Sequence, residues 1–526
     1  MTFRSNHHTS LAVTVLLACG TAGPSSASAQ NSVSVPVVDT APLSLRDVVT
    51  LTLAHSASIE RARLTILSQE GALLQVNAQF DPVLRASVNR MQTRTPLFAT
   101  GSDPTSIVNA SLGYELGVDW TLPVGLAIAP AVSFSRADIA PGVGEVRNIG
   151  TAGLSLVLPL LRGRGGGDAR AAQRATSIAL EASRADAEYA QRGSIRAAMV
   201  AYWQYVAARA GLQVLRGAEA RAITLVQQTR ALIAADERPA VDSLTVLANV
   251  AAKSGARLNG QNTVTTALFE LAAATGLPSE RIAVLDRPTG QFPAIPDDDV
   301  LATWPPEDVW VTYALARRQD LTSAQQQSAG ARELVRGAAN AARSRLNLRG
   351  GLAYTGIGLG DHASQLLTPF NSRRSGAHLE IALEFDNPLV HSVAVGELQR
   401  RVADERQATL AADELARTVA LAVRSSAQTL HRHIEESRLA FRALGLYAAA
   451  VEGERQKYQL GTATLFDVIF AVDNLTAAEL GWISAQQRYA NAVTDLLYQA
   501  GVPLGTSGCA AQLPAPVVLP DAICPF

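Results

Sequence analysis

Tyr458–Leu496 reads YQLGTATLFDVIFAVDNLTAAELGWISAQQRYANAVTDL, a break followed by a long helix. Gly461 tolerates positive φ, so one helix can end there. Thr464 can then cap the next. From Leu465 onward, Val468, Val472, Leu475, Glu479, Trp482, Gln486, Tyr489, Val493 and Leu496 recur at alternating steps of three and four. That spacing is a coiled-coil seam. Glu479 and Gln486 interrupt its apolar run, which suits a helix seen partly by water.

Working outward, the same order of elements occurs twice. In the first copy (43–276) Ser44 caps a helix expected to run to about Gln79, and Asp81-Pro82 stops it. The period then changes to the alternation of strands over 83–91, 111–122, 126–136 and 150–159, separated by loops rich in Gly, Pro and Asp. Helices are expected at 169–235 and 242–275, with the break at Asp236-Glu237-Arg238-Pro239 between them. Ile195, Met199, Tyr202 and Val206 keep the same four-three-four spacing in the first of these. A connector rich in Pro and Asp spans 277–306. The second copy (307–501) holds a helix to about Arg345, strands within 346–386, and helices at 395–459 and 464–499. Aligned on the breaks, Asp236 matches Gly461 and Asp242 matches Asp467. An internal repeat of this size is a strong architectural signal.

The ends and the composition narrow the class. The formal net charge is −1, so no basic surface for nucleic acid is implied. Aromatic content is only 5%, and alanine-rich stretches dominate, which favours long, closely packed helices over a mixed globular core. Arg4, the apolar run 11–18 and Ala27-Ser28-Ala29 read as an export signal over residues 1–29. Leu16-Leu17-Ala18-Cys19 reads equally as a lipoprotein box, which would remove 1–18 and lipidate Cys19. No later stretch is read as long and apolar enough to span a bilayer as a helix. Cys509 and Cys524 in the tail (502–526) are consistent with a disulfide in an oxidising compartment.

The strands are too few to close a wide barrel alone, and an open edge is excluded in lipid. Closure therefore calls for several copies. Helices of roughly 65 residues approach 100 Å at about 1.5 Å per residue, longer than any bilayer is thick.

Tyr458, Gly461, Asp467-Val468 and Gly501, with the Pro159–Gly165 junction, resemble the helical-duct pattern of the TolC family of outer-membrane efflux proteins. The resemblance runs from about Leu43 to Gly501. It implies an α+β membrane protein, with a long antiparallel helical barrel in the periplasm and a β-barrel shared by a homotrimer in outer-membrane lipid. It implies a passive exit duct, not an enzyme, with no cofactor. The partners would be a periplasmic adaptor and an inner-membrane pump of RND, ABC or MFS type. Four strand segments in the first repeat depart from the family's simplest pattern of two. The resemblance also places a gate at the helix breaks, Pro239 and Gly461. Tyr458 and the first-repeat Asp242 would form a charge-assisted hydrogen bond across it, and Asp467 would line the pore. The family's arginine position is Ala463 here, its second pore aspartate is Phe470, and Arg238 is read as replacing the missing arginine.

Other chemistry finds no support. Arg162–Asp168 is glycine-rich, but no lysine followed by Ser or Thr comes after it, and Asp168 occupies the third dinucleotide position. His431 and His433 are two apart and face different ways on a helix. The competing reading is a periplasmic coiled-coil adaptor without a pore, which would carry lipoyl-like and barrel segments at its hairpin base.

Overall fold

The computed structural model describes residues 43–97, 105–139, 146–278, 280–282, 291–297, 304–360, 370 and 374–504. Cys19, Cys509, Cys524 and the export segment lie outside them. The first half of the chain forms α1 (Leu45–His55), α2 (Ala57–Asn77), β1 (Val83–Leu97), β2 (Thr105–Thr121), β3 (Ala127–Ile139), β4 (Arg147–Pro159), α3 (Gly167–Ala234) and α4 (Asp242–Thr275). The second half forms α5 (Glu307–Arg317), α6 (Gln319–Ala341), β5 (Arg345–Leu359), β6 (Ser375–Asp386), α7 (Ser392–Gln459) and α8 (Leu465–Gln499). The halves run in parallel. α3 and α7 are both 68 residues long, and α4 and α8 have 34 and 35.

Two expected helices are each broken once. The helix read as Ser44 to Gln79 bends at Ser56 (φ −67°, ψ 117°), and the helix read as Glu307 to Arg345 bends at Arg318 (φ −74°, ψ 120°). The cause lies far away in sequence. α4 ends in Gly276, whose φ of +75° turns the chain, and a Cβ there would overlap the carbonyl oxygen of His55. α8 ends in Gly501, also at φ +75°, and a Cβ there would lie 3.3 Å from the carbonyl of Arg317. Each half therefore butts the end of its last helix against the kink of its first. α2 and α4 both pack along α3, sharing its flank.

The kinks are held differently. At the first, the hydroxyls of Ser56, Ser58 and Ser194 form a chain with links of 2.8 and 2.6 Å. At the second, Arg318 is 6% exposed and donates to Asp320 Oδ2 at 2.6 Å, Gln499 Oε1 at 2.6 Å and the Tyr189 hydroxyl at 2.9 Å. Burial pulls the Arg318 guanidinium down, but Asp320 more than offsets this and leaves it above the ordinary arginine value.

The main core sits at mid-length of the long helices. Ile195, Met199, Tyr202 and Val206 of α3, the expected stripe, are buried there with Trp203, Leu271, Val423, Ile434, Tyr489 and Val493. Burying each large side chain is worth about 1.5–3 kcal/mol. Val468, Val472, Tyr489, Val493 and Leu496 of the α8 seam are buried, while Leu475, Glu479, Trp482 and Gln486 are half-buried. One expectation fails here: α8 is long and apolar enough to cross a membrane by length and composition alone. Its apolar positions pack against α3 and α7 instead.

The strands form one antiparallel sheet in the order β1-β2-β3-β4-β5-β6. The glycine-rich turn 163–167 tucks under the β2–β3 turn, where a Cβ on Gly166 would overlap the Pro123 carbonyl. Close backbone approach accounts for this turn without a bound nucleotide.

Candidate functional site

Two regions carry the features that a function could use: the faces of the sheet, and the tip where the helix pairs turn. The pairing register sorts every strand residue onto one of two faces. One row runs Ala86–Leu116–Val132–Ala152–Tyr354–Ala377 across all six strands. Another runs Leu158–Leu348–Leu383, and a third Leu154–Leu352–Leu379. These rows belong to the same face, because strand side chains alternate with a period of two. In β6 that face presents Leu379, Ile381, Leu383 and Phe385, which are 63–74% exposed. An apolar face this broad on a protein surface marks contact with a membrane or a partner.

Aromatic side chains sit at both limits of the apolar face. Trp120 is at the end nearest the helices, and its indole N–H donates to the Phe80 carbonyl at 3.0 Å. Tyr114 pairs with Phe134 towards the other end. The opposite face is polar. It carries the ion pairs Arg85–Asp119, Arg345–Asp386 and Arg349–Glu384, and the Thr151 and Thr355 hydroxyls 3.2 Å apart.

At the tip, α7 ends at Gly461 (φ +75°). Its last turn closes through Thr462 N–H to the Lys457 carbonyl at 2.9 Å, a Schellman-type end. Thr464 then opens α8 with a reciprocal cap, as expected. Its hydroxyl accepts from the Asp467 N–H at 3.3 Å, and Asp467 Oδ2 accepts from the Thr464 N–H at 2.8 Å. The Thr464 hydroxyl and amide hold the Asp467 carboxyl below the usual carboxylate range.

α3 ends the same way, with Glu237 N–H on the Leu232 carbonyl at 3.0 Å. The residue that turns the chain is Asp236, at φ +60°, the sole non-glycine at positive φ among the described residues. α4 then starts at Asp242 with no side-chain cap.

Tyr458, Arg238 and Ala463 meet here. The Arg238 guanidinium lies 4.7 Å from the centroid of the Tyr458 ring, a cation–π contact, and reaches the Ala463 carbonyl at 3.4 Å. Tyr458 is 6% exposed and packs with Leu225, Val246, Val451, Leu465 and Val468. Its hydroxyl has no hydrogen-bond partner, so the expected bond to Asp242 is not made. The ring is held in this cluster beside a cavity of about 750 Å³ that Arg221, Gln228, Glu452 and Gln456 also line, and the hydroxyl stays buried. Asp242 is half-buried in the first turn of α4, while Asp467, in its cap, and Phe470 are exposed.

Sequence reasoning missed the ties between the hairpins. Arg221 of α3 pairs with Glu479 of α8 at 2.8 Å, and Lys253 of α4 pairs with Asp473 of α8. In the sequence Glu479 reads only as a polar interruption of the seam; nothing in a single helix's spacing names its partner. His433 donates its Nδ1–H to Glu436 Oε2 at 2.8 Å and does not join His431. Among the described residues no cluster of three or more His, Cys, Asp or Glu could hold a metal.

No family model and no curated protein matches the chain. Solved structures do. The chain is similar to the outer membrane channel CmeC of Campylobacter jejuni at 17% identity and a TM-score of 0.63, covering 87% of this chain and 85% of that one. It is similar to the outer membrane protein VceC of Vibrio cholerae at 16% identity and a TM-score of 0.63, over 87% and 96% of the two chains. The open state of the MtrE outer membrane channel of Neisseria gonorrhoeae gives 14% identity and a TM-score of 0.61, over 90% and 94%. The chain has the fold of these channels.

Proposed function

We propose that this chain is an outer-membrane exit duct of the TolC family, a homotrimer whose copies share one barrel and one periplasmic tunnel. The observation that carries the reading is the two-faced sheet set on helices far longer than a bilayer is thick. The apolar rows from Leu346 to Tyr354 cover eight steps, about 26 Å along the strand. A tilt of about 40° reduces this to about 20 Å of height, near the roughly 25 Å of outer-membrane barrels. Aromatic residues at both limits match interfacial girdles. The polar face would line water. The long helices would then project into the periplasm, where an adaptor and an inner-membrane pump supply the drive. The duct itself performs no chemistry.

The tip is the natural place for closure. Arg238 spans from the first break to the second, touching Tyr458 and the backbone of Ala463. Each copy would carry one such latch, and a docking partner that binds the open state better would release it. Asp242 and Asp467 would add carboxylates at the same level.

Single-channel conductance of the purified protein in a planar bilayer tests this. Small, stable channels are expected from the wild type, and wider ones from Arg238→Ala. Unchanged resting conductance in Arg238→Ala sinks the latch but keeps the duct. Absence of channels from folded protein sinks the duct and returns the adaptor reading.

A further inference from the structure

We propose that all six strands of each copy enter the barrel, so that three copies build an 18-stranded wall as wide as the helical tube it stands on. The inference rests on the trimeric duct reading and adds the width of its membrane part. The sheet has two free edges, β1 and β6, each hydrogen-bonded on one side alone. Both border the apolar face, through Leu84 and Val88 on β1 and through Leu379–Phe385 on β6. In lipid those unpaired backbone groups have no water to bond. Adjacent strands of the sheet are antiparallel and their number is even, so β1 and β6 run in opposite directions; β6 of one copy then lies antiparallel to β1 of the next, and the same pairing repeats around a ring. The second copy is therefore the occupant that the edges fit.

β1 and β2 are not an appendage to a four-stranded wall. The apolar face continues through them in register: Ala86, Leu116 and Val132 share one row with Ala152 and Tyr354. The polar face continues too, with Arg85 paired to Asp119. A hairpin outside the wall would have no use for one lipid-like and one water-like side.

Widths agree as well. Along the tube each level holds four helices: α2, α3, α6 and α7 near the sheet, then α4, α3, α8 and α7 towards the tip. At about 9 Å between axes these occupy roughly 36 Å of circumference per copy. Strands about 4.8 Å apart and tilted about 40° each take about 6.3 Å, so six occupy roughly 38 Å and four only about 25 Å. Six strands continue the tube without a step. Three copies give a barrel about 36 Å across at the backbone, which leaves the tip, and not the membrane, as the narrow point.

Cysteine pairs on the full-length protein in its native membrane test this. Val88→Cys on β1 would be combined in turn with Leu379→Cys, Ile381→Cys and Leu383→Cys on β6, then oxidised. One combination is expected to give a ladder on denaturing gels that ends at the trimer. Electron cryomicroscopy of the purified wild type is expected to show 18 strands. A ladder ending at the dimer overturns the proposal. So does cross-linking of the β6 cysteines to Val132→Cys on β3, because β3 would then be the edge and β1–β2 would lie outside. Twelve strands in a conducting trimer, or a conducting trimer without any β1–β6 cross-link, overturns the strand count alone. Protein that neither conducts nor assembles overturns the duct reading beneath it.

Discussion

The two halves of the chain share a plan but not a finish. Each has a kinked entry, a 68-residue helix, a turn through one residue at positive φ and a return helix that ends in glycine. At the tip, the second half turns on Gly461 and restarts with the Thr464–Asp467 cap. The first half turns on Asp236 and restarts with no side-chain cap. At the kink, the second half buries the Arg318–Asp320 pair, where the first has a chain of serine hydroxyls. The second half is thus tied more firmly at both ends. If the tip opens, the cheaper local rearrangement lies in the first half, with Arg238 as its hold on the second.

The largest test of this contrast is at the kinks. Arg318→Ala leaves Asp320 buried without its partner and should cost about 3–5 kcal/mol. Ser56→Ala removes one hydroxyl link and should cost about 1 kcal/mol. Urea denaturation of the purified protein measures both, and equal losses would break the contrast. The turns come next. Gly461→Ala should cost about 1–2 kcal/mol, because a Cβ is strained at positive φ, and Asp236→Gly should gain a fraction of that. If Asp236→Gly destabilises, the aspartate does something at the tip beyond turning the chain.

Two expectations read from a single sequence met different fates for one reason. The breaks at Gly461 and Pro239, the Thr464 cap and the buried stripe of Ile195, Met199, Tyr202 and Val206 were legible because each depends on neighbours within a few residues. The kinks at Ser56 and Arg318 were not. Helical periodicity runs through both, and the bend is imposed by glycines that arrive about 220 and 180 positions later in the chain. The strands were legible by alternation, including the two additional segments of the first half. Their order and register across the halves were not, since β4 pairs with β5 over the whole of α3, α4, α5 and α6. At the candidate site, aligning the breaks singled out Arg238 as the stand-in for the arginine missing at Ala463, but not its contact with the Tyr458 ring. Nor was the unmade bond from Tyr458 to Asp242 legible, because packing within the cluster around Leu225 and Val468 holds the ring.

The smallest expected effects concern the cap. Amide hydrogen exchange should be slower over 468–472 than over 243–247, and Thr464→Ala should narrow that gap by about 0.5–2 kcal/mol. Acidification should do the same. A carboxyl depressed on folding stabilises the folded state above its unfolded pKa, and that stability fades as pH falls through the folded value. Asp467 is such a group. Between about pH 7 and about pH 3 the 468–472 amides should lose protection faster than those at 243–247. Equal sensitivity of both segments would separate the cap from the contrast between the halves.

The glycines that end α4 and α8 against the kinks also act as a ruler. Each return helix is bounded twice, by the turn at the tip and by the abutment at Gly276 or Gly501. Neither arm of a hairpin can therefore gain or lose residues alone without losing one of those two contacts. Evolution and engineering alike can change the reach of this protein only in matched pairs of helical turns. One pair of seven-residue steps would move the tip by about 10 Å, so the distance from sheet to tip is written into the chain in discrete units.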